Sequence, residues 1–259
     1  MSGITTNTKT PGILEELMES RYFLHYYHLG KVCHELLHEI KNKLIAPSTF
    51  IQTFHKNEKN EKFRTHFASL AASELDIILH RINQMLSYSR RENKTEKTHD
   101  FRQPFEQTVR DSLVLLDWEL KKNKISVETD IPEGILFPLK NQLLKDVVIN
   151  LLINAIHALK SKKFGTRLLR IVIFRNEKET GFRIMDTGIG MSRKELSKIF
   201  LPFYTTKESG SGIGLCVVKK YLEENNGSIR VSSKKNMGSC FEVYFKKKDF
   251  FNEDTQSQE

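Results

Sequence analysis

The sequence contains little cysteine and no long run of apolar residues. Three cysteines occur among 259 residues, at positions 33, 216 and 240, and their separations match no metal-binding or redox motif. We therefore expect reduced thiols in a cytoplasmic protein. No uninterrupted run of about 18 apolar residues occurs, so no membrane span is expected. Residues 1–11 also lack the charged start and apolar core of a secretion signal.

Internal repeats and dense basic blocks are missing as well, although the net charge is +9. The lysines are spread along the chain and mixed with glutamates, which is typical of a solvated surface. We therefore predict no nucleic-acid partner and attribute the positive charge to that surface plus a phosphate-binding site. The hydrophobic content of 39% is enough for ordinary hydrophobic cores.

The periodicity of apolar residues changes near residue 95 and divides the chain. We predict a disordered tail over residues 1–12, a helical dimerisation domain over 13–95, a catalytic domain over 98–248, and an acidic tail over 249–259. In the second of these, apolar residues recur at alternating steps of three and four, as in a heptad seam. The first seam runs through Tyr22, Tyr26, Leu29, Cys33, Leu36 and Ile40, then, after an extra step of four, through Leu44, Pro47, Ile51 and Phe54.

A second seam follows a polar turn at residues 55–60, and it passes through Phe67, Ala71, Leu75, Ile78, Ile82 and Met85. One antiparallel hairpin cannot cover two apolar seams, so we predict that two chains pair into a four-helix bundle. The later region alternates between helical and strand periods. It predicts helices over 104–124, 141–160 and 212–226 and strands over 125–129, 169–174, 182–185, 228–233 and 239–245. The predicted class is α+β: a helical hairpin of a dimeric bundle, followed by an α/β sandwich with helices on one face of a mixed sheet.

Two glycine clusters and a pair of asparagines carry the chemistry of this second domain. Residues 186–190 (Asp-Thr-Gly-Ile-Gly) follow a predicted strand, and Asp186 could accept a hydrogen bond from an adenine amino group. Residues 210–215 (Gly-Ser-Gly-Ile-Gly-Leu) precede a predicted helix, where backbone amides can approach phosphate. Asn150 and Asn154 lie on one helical face and could serve Mg²⁺ and phosphates. A turn-capping aspartate and helix-packing asparagines are the structural alternatives.

Residues 199–207, between the glycine clusters, contain aromatics, a proline and a terminal lysine, as expected of a lid over a nucleotide. In this order, the four elements resemble the ATP-binding domain of histidine kinases. The resemblance implies that Asn154 is a Mg²⁺ ligand, Asn150 a supporting polar residue and Asp186 the reader of adenine. It places His157 where relatives have a basic residue contacting phosphate, with a surface histidine as the alternative. It further implies nucleotide contacts from Gly188, Gly190, Phe203, Thr206, Lys207, Gly210, Gly212, Ile213, Gly214 and Leu215.

The segment His38-Glu-Ile-Lys-Asn-Lys-Leu44 resembles the phosphoacceptor motif of dimeric histidine kinases. In the heptad register His38 is an f position that faces water, as a mobile ATP domain and a partner protein require. Glu39 would be the general base or orienting acid. Glu39 with Asn42 also matches the pattern of kinases that dephosphorylate their partner. The family's usual proline after this asparagine is replaced by Lys43, which puts the bend of the helix in doubt rather than the chemistry.

Residues 34–38 also fit the zinc-protease pattern H-E-x-x-H, but no third ligand follows at a fixed spacing, and the nucleotide motifs would stay unexplained. The resemblance therefore implies a soluble, cytoplasmic homodimer that uses ATP and Mg²⁺ to phosphorylate His38. The phosphoryl group would then pass to an aspartate of a response regulator receiver domain. A nucleotide-binding scaffold that signals by conformation, or an ATPase or serine kinase of the same fold, are the alternatives. About twenty residues precede the seam, so input is expected from a separate protein or from something that binds the helical hairpin directly.

Overall fold

Alternating inward and outward side chains build the sheet of the catalytic region. The computed structural model describes residues 102–207 and 212–247, with residues 37, 40–42, 44–57, 59–61, 63–65, 68, 71, 74–75, 77–79 and 82–83 of the preceding region. The helices are α1 Ile45–Asn57, α2 Phe105–Leu115, α3 Asp117–Lys122, α4 Asn141–Lys160, α5 Arg193–Leu196 and α6 Gly214–Glu224. The strands are β1 Ser126–Asp130, β2 Leu168–Arg175, β3 Glu179–Asp186, β4 Gly227–Lys234 and β5 Gly238–Lys246.

The five strands form one mixed sheet in the order β1-β2-β3-β5-β4. The β1–β2 pair is parallel, whereas the other three pairs are antiparallel. One face is apolar and packs against α4 and α6, with buried side chains from three strands. These are Leu169, Ile171, Phe182, Ile184, Phe241, Val243 and Phe245. The sheet therefore covers a core on one side only, as the strand alternation predicts.

The opposite face of the sheet carries a row of ion pairs, with arginine side chains lying over the aromatic rings of Phe174 and Tyr244. Glu242 accepts hydrogen bonds from Arg183 and from Arg230, and Arg230 also pairs with Glu179 at 2.7 Å. Arg230 lies over the ring of Tyr244, 3.8 Å from its centroid. These charges keep the face soluble while their aliphatic stems cover the strands beneath.

Helix α4 is the central element of the core. The helix is almost completely buried at Leu144, Val147, Leu151 and Leu159. It is also buried at Ile149 and Ile156. Within the described residues, this is the helix that is long and apolar enough to cross a membrane by length and composition. However, 67% of its most apolar window is buried inside the domain. Its hydropathy is therefore explained by packing on both the sheet and the neighbouring helices.

A cluster of four phenylalanines closes the end of the core near α2. The Phe105 and Phe182 rings stack at 4.5 Å between centroids, and Phe137 meets both of them edge to face. Phe137 also contacts Phe245 on β5 at 5.7 Å. Since Phe105 is the first residue of α2, this cluster fixes the start of the helix to the sheet.

Every predicted element of the catalytic region is present, with small differences at the ends. The predicted helix over 104–124 is interrupted at Leu116, whose backbone (φ −99°, ψ 5°) lies outside the helical region and whose side chain is buried. Neither glycine nor proline stands at this point, so tertiary packing rather than local propensity produces the break. Helix α6 begins at Gly214, two residues later than predicted.

In the preceding region, α1 begins at Ile45 and continues through Asn57, so it extends into the stretch predicted as a turn. The seam positions Pro47, Ala71 and Ile78 are buried, whereas Leu44, Ile51 and Leu75 are exposed in the single chain. Pairing of two chains, which the seams predict, stays a prediction here.

Candidate functional site

Asp186, the last residue of β3, is the most deeply buried carboxylate among the candidate site residues. Its side chain is 6% exposed, and its Oδ1 accepts a hydrogen bond from the Gly188 amide at 2.8 Å. The backbone amide and hydroxyl of Ser239 also donate to it. Burial raises the pKa of the Asp186 carboxyl from 3.8 to about 6, although these hydrogen bonds and the charge of Lys162 oppose the rise. The carboxylate is thus held in place at an energetic cost, as expected of a functional group.

The turn after Asp186 presses against the C-terminal part of α4. A Cβ atom on Gly188 would lie 2.7 Å from the Ala158 Cβ and 2.7 Å from Asp186 Oδ1, so only glycine fits. The Ile189 amide donates to the Ala158 carbonyl at 3.2 Å. The sequence predicted a glycine contact to nucleotide here. The structure adds that Gly188 permits close packing of the turn on the helix.

Gly190 adopts a left-handed backbone (φ +58°), and an added Cβ would overlap the Lys234 carbonyl at the end of β4. The Met191 amide donates to the Ser233 hydroxyl at 2.8 Å, and the Asn236 amide donates to the Ile189 carbonyl. The β4–β5 turn therefore supports the glycine-rich turn from behind.

The two asparagines of α4 occupy different environments. Asn150 is 2% exposed, and its Nδ2 donates to the Asp146 carbonyl one turn earlier, the helix-internal bond expected of a packing asparagine. Asn154 is half-buried, and its Oδ1 accepts a hydrogen bond from Lys207 Nζ at 2.7 Å. Lys207 comes from the predicted lid, so the lid lysine and the predicted metal ligand meet in the folded chain.

The lid and the second glycine cluster are joined through their backbones. Phe203 has a positive φ of +65° and donates its amide to the Gly212 carbonyl at 3.0 Å. Gly212 also has a positive φ (+63°), and an added Cβ would lie 2.5 Å from the Phe203 carbonyl carbon. Ile213 and Val217 form a small apolar cluster with the Phe203 ring. Within the described residues, the N-cap residue Ile213 makes no side-chain bond to the first turn of α6, which begins with Gly214 and Leu215.

Of the other predicted residues, His157 lies half-buried on α4, three residues after Asn154, and Thr206 is exposed beside Lys207. Asn42 is helical and exposed. His38, Glu39 and Gly210 lie outside the described residues, as does the His34 of the zinc-protease pattern. In the described parts of the chain, no group of three or more histidine, cysteine or acidic side chains could hold a metal.

Sequence reasoning missed Ser239 and Lys162, which support Asp186 from other elements. Neither belongs to a recognisable motif, because each acts through tertiary contacts that have no fixed spacing. The left-handed backbone of Phe203 was missed for the same reason.

Comparison with known proteins identifies the type of domain. Residues 140–249 match the family described as histidine kinase-, DNA gyrase B-, and HSP90-like ATPase. Sporulation kinase E of Bacillus subtilis (strain 168) is 30% identical over 233 residues, covering 89% of this chain and 30% of that protein. The signal transduction histidine-protein kinase AtoS of Escherichia coli (strain K12) is 28% identical over 217 residues, covering 82% and 34%.

Among solved structures, histidine kinase ThkA in complex with the response regulator protein TrrA matches with a TM-score of 0.52 and 20% identity. It covers 94% of this chain and 69% of that one, and it supports the fold alone. The chain spans about a third of the length of the two curated relatives. The resemblance to two-component sensor histidine kinases, and the mixed-sheet ATPase domain that it implied, are confirmed.

Proposed function

Because this chain is related to the two-component sensor histidine kinases and carries their type of ATPase domain, we propose that it is a histidine kinase. In this proposal the catalytic domain binds ATP and phosphorylates His38. The phosphoryl group then passes to an aspartate of a response regulator. The related proteins are named as histidine kinases, and ThkA was solved with a response regulator. The proposal extends these properties to this chain.

The observation that carries the proposal is the convergence of predicted nucleotide contacts on one helix. The turn carrying Asp186 packs on Ala158 of α4, and the lid reaches Asn154 of the same helix through Lys207. Ala158 and Asn154 are four residues apart, so they lie on the same side of α4, about 6 Å apart along the axis. The predicted reader of adenine and the predicted cation at the phosphates therefore lie about one helical turn apart along α4. This separation suits a nucleotide bound along the helix.

The residues at Asn154 fit a hard divalent cation. The side-chain oxygen of Asn154 is a ligand type that Mg²⁺ accepts, and its hydrogen bond from the ammonium group of Lys207 supports a site for positive charge at this oxygen. Bound Mg²⁺ would neutralise charge on the phosphates. Lys207 would then exchange its bond to Asn154 for one to phosphate.

The proposed transfer uses His38 as the nucleophile. An imidazole nitrogen of His38 attacks the γ-phosphorus, the bond from phosphorus to the bridging oxygen breaks, and ADP leaves. Glu39 takes up or orients the imidazole proton. The charge that develops on the phosphates would be stabilised by Lys207 and by the backbone amides at the start of α6. The product phosphohistidine is then the donor to the receiver aspartate.

We further propose that the chain works in the cytoplasm as a homodimer. The exposed seam residues Leu44 and Ile51 support pairing, because apolar residues at heptad spacing are buried by a partner helix in a bundle. Glu39 and Asn42 would also position a water to dephosphorylate the regulator. The exposed, helical position of Asn42 favours this second activity.

The experiment incubates the chain with γ-labelled ATP and Mg²⁺ and follows acid-labile label on the protein. We compare the wild type with His38→Gln and with the matched control His34→Gln, four residues earlier in the sequence. Label is expected in the wild type and in His34→Gln, and a loss of more than about 100-fold in His38→Gln, because no nucleophile replaces the imidazole.

Undiminished label in His38→Gln would show that another residue accepts the phosphoryl group. A wild type that binds ATP but never gains label would favour the scaffold that signals by conformation. Label that is stable to acid would favour a serine kinase of the same fold.

A further inference from the structure

Lys162, in the loop between α4 and β2, reaches the turn that follows Asp186. Its Nζ donates to the Thr187 carbonyl at 2.6 Å and to the Thr166 carbonyl at 3.1 Å. The side chain is half-buried, so these bonds are partly shielded from water. A charged donor shared by two carbonyls joins the loop to the residue directly after the carboxylate.

Thr187 is held by further bonds on its other sides. Its amide donates to the Leu168 carbonyl at 3.1 Å, and its hydroxyl donates to the Thr166 carbonyl at 2.8 Å. The Leu168 amide in turn donates to the Thr187 hydroxyl at 3.0 Å. Lys162 therefore completes a set of bonds that leaves the backbone next to Asp186 little freedom.

The loop that presents Lys162 is itself fixed by an arginine. Arg167 donates through Nη2 to the Lys162 carbonyl at 2.9 Å and through Nη1 to the Asn123 carbonyl at 2.8 Å. Asn123 follows α3, so the loop is fastened to a second element of the domain. The fold therefore restricts the backbone that carries Lys162, and with it the position of the ammonium group.

The ammonium group also acts on the carboxyl through space. Its charge favours the ionised form of Asp186 and lowers the pKa of that carboxyl, against the larger effect of burial. The other titratable group that interacts with Asp186 is the Cys240 thiol on β5, whose own pKa is raised by burial. Among the interacting groups described, Lys162 is the cation that faces Asp186.

We propose that Lys162 is a positioning residue that determines base specificity, because its ammonium group holds the Thr187 carbonyl and so fixes the turn directly after Asp186. An ionised carboxylate can only accept a hydrogen bond, so it suits the 6-amino group of adenine. A neutral carboxyl can donate to the 6-carbonyl of hypoxanthine, so protonation of Asp186 would weaken discrimination. The inference rests on the proposed role of Asp186 in reading adenine.

The test measures the affinity of the full chain for ATP and for inosine triphosphate by calorimetry between pH 5 and 8. The variants are Lys162→Met, which keeps the stem but removes the charge, Lys162→Arg, which keeps the charge, and the exposed neighbour Lys163→Met as the matched control. The two nucleotides share the same triphosphate, so its titration cancels in the affinity ratio.

In the wild type, the preference for ATP should fall as the pH decreases through about 6, where Asp186 becomes protonated. In Lys162→Met this decline should move to higher pH, and ATP affinity at pH 7.5 should fall by about 5- to 20-fold. Lys162→Arg should keep the wild-type midpoint, and Lys163→Met should match the wild type within about twofold.

An unchanged preference for ATP over inosine triphosphate in Lys162→Met at every pH would overturn the inference, because Lys162 would then neither fix the turn nor affect the carboxyl. If Lys162→Met unfolds, Lys162→Arg decides: its ratio must follow the wild-type pH profile. Failure of the wild type to bind either nucleotide would instead overturn the proposed ATP site, and the inference with it.

Discussion

At the residue scale, the site depends on a carboxylate that burial destabilises. Asp186 is 6% exposed, and its hydrogen bonds from Gly188 and Ser239 recover only part of the lost hydration. A buried acid with a raised pKa lowers the stability of the folded state at neutral pH. In the proposed function this cost has a use, because a desolvated acceptor discriminates strongly between ligands that donate to it and ligands that do not.

The first stability prediction concerns Asp186→Asn. The carboxyl contributes stability that is fully present below pH 3.8 and is lost as the pH rises through about 6. The rise in pKa corresponds to about 3 kcal/mol at neutral pH. Asparagine keeps an acceptor for the Gly188 amide without the charge, so Asp186→Asn should be more stable at pH 7.5 by about 1–3 kcal/mol while binding ATP poorly.

Urea unfolding at pH 7.5 and pH 5 measures this effect. The advantage of Asp186→Asn should shrink by about 1 kcal/mol at pH 5, because the wild-type carboxyl then gains a proton. The exposed Asp130→Asn is the control, with an expected change below about 0.5 kcal/mol. A difference that does not depend on pH would contradict the assigned titration.

At the scale of elements, short turns set the position of the site between the sheet and α4. The turn from Gly188 to Gly190 contacts α4 on one side and the β4–β5 turn on the other. The lid and the start of α6 are similarly joined where Phe203 and Gly212 both have left-handed backbones. At some positions such turns need glycine because the backbone is left-handed, and at others because a neighbouring group leaves no room for a Cβ atom. The free energy of unfolding lost on substitution therefore differs between the two kinds of position.

Gly190→Ala and Gly134→Ala separate these requirements. Both glycines have positive φ (+58° and +74°), but a Cβ on Gly190 would overlap the Lys234 carbonyl, whereas nothing lies within 4 Å of a Cβ on Gly134. Gly134→Ala should lower the free energy of unfolding by about 1 kcal/mol through backbone strain alone. Gly190→Ala should lose about 2–4 kcal/mol, since packing adds to strain. Equal losses in chemical denaturation would disprove the packing argument.

At the scale of the whole molecule, the helical region leaves apolar residues uncovered in the single chain. Ile51 is 71% exposed on α1 and occupies a seam position, whereas Pro47 on the same seam is buried. Pairing with a second chain would bury the Ile51 side chain of each chain. The proposed transfer to His38 would then take place on a bundle of two chains.

Ile51→Glu tests the proposed pairing. A charge at a covered seam position should weaken dimerisation by about 10²- to 10⁴-fold, because each chain loses the burial of one isoleucine. Light scattering during size exclusion should show monomers for Ile51→Glu and dimers for the adjacent exposed control Gln52→Glu. An Ile51→Glu dimer as tight as the wild type would place the interface elsewhere.

Much of the fold and site could be predicted because the deciding interactions are local. The bounds of α4 agree with the prediction, since its apolar residues follow one helical period over five turns. The glycine and asparagine motifs were visible because they occur at short, fixed spacings, as the proposed binding of phosphate and adenine would require. The interruption at Leu116 was not predictable, because no helix-breaking residue marks it.

The sequence by itself determined the order of elements, the type of domain and the residue types at the candidate nucleotide site. Only the tertiary structure decided that Lys207 meets Asn154 and that Lys162 and Ser239 support Asp186. These partners are separated from their targets by 24 to 53 positions along the chain and converge through the packing of the sheet on α4. Contacts of this kind depend on how elements are placed in space, so they have no spacing that a sequence pattern could reveal.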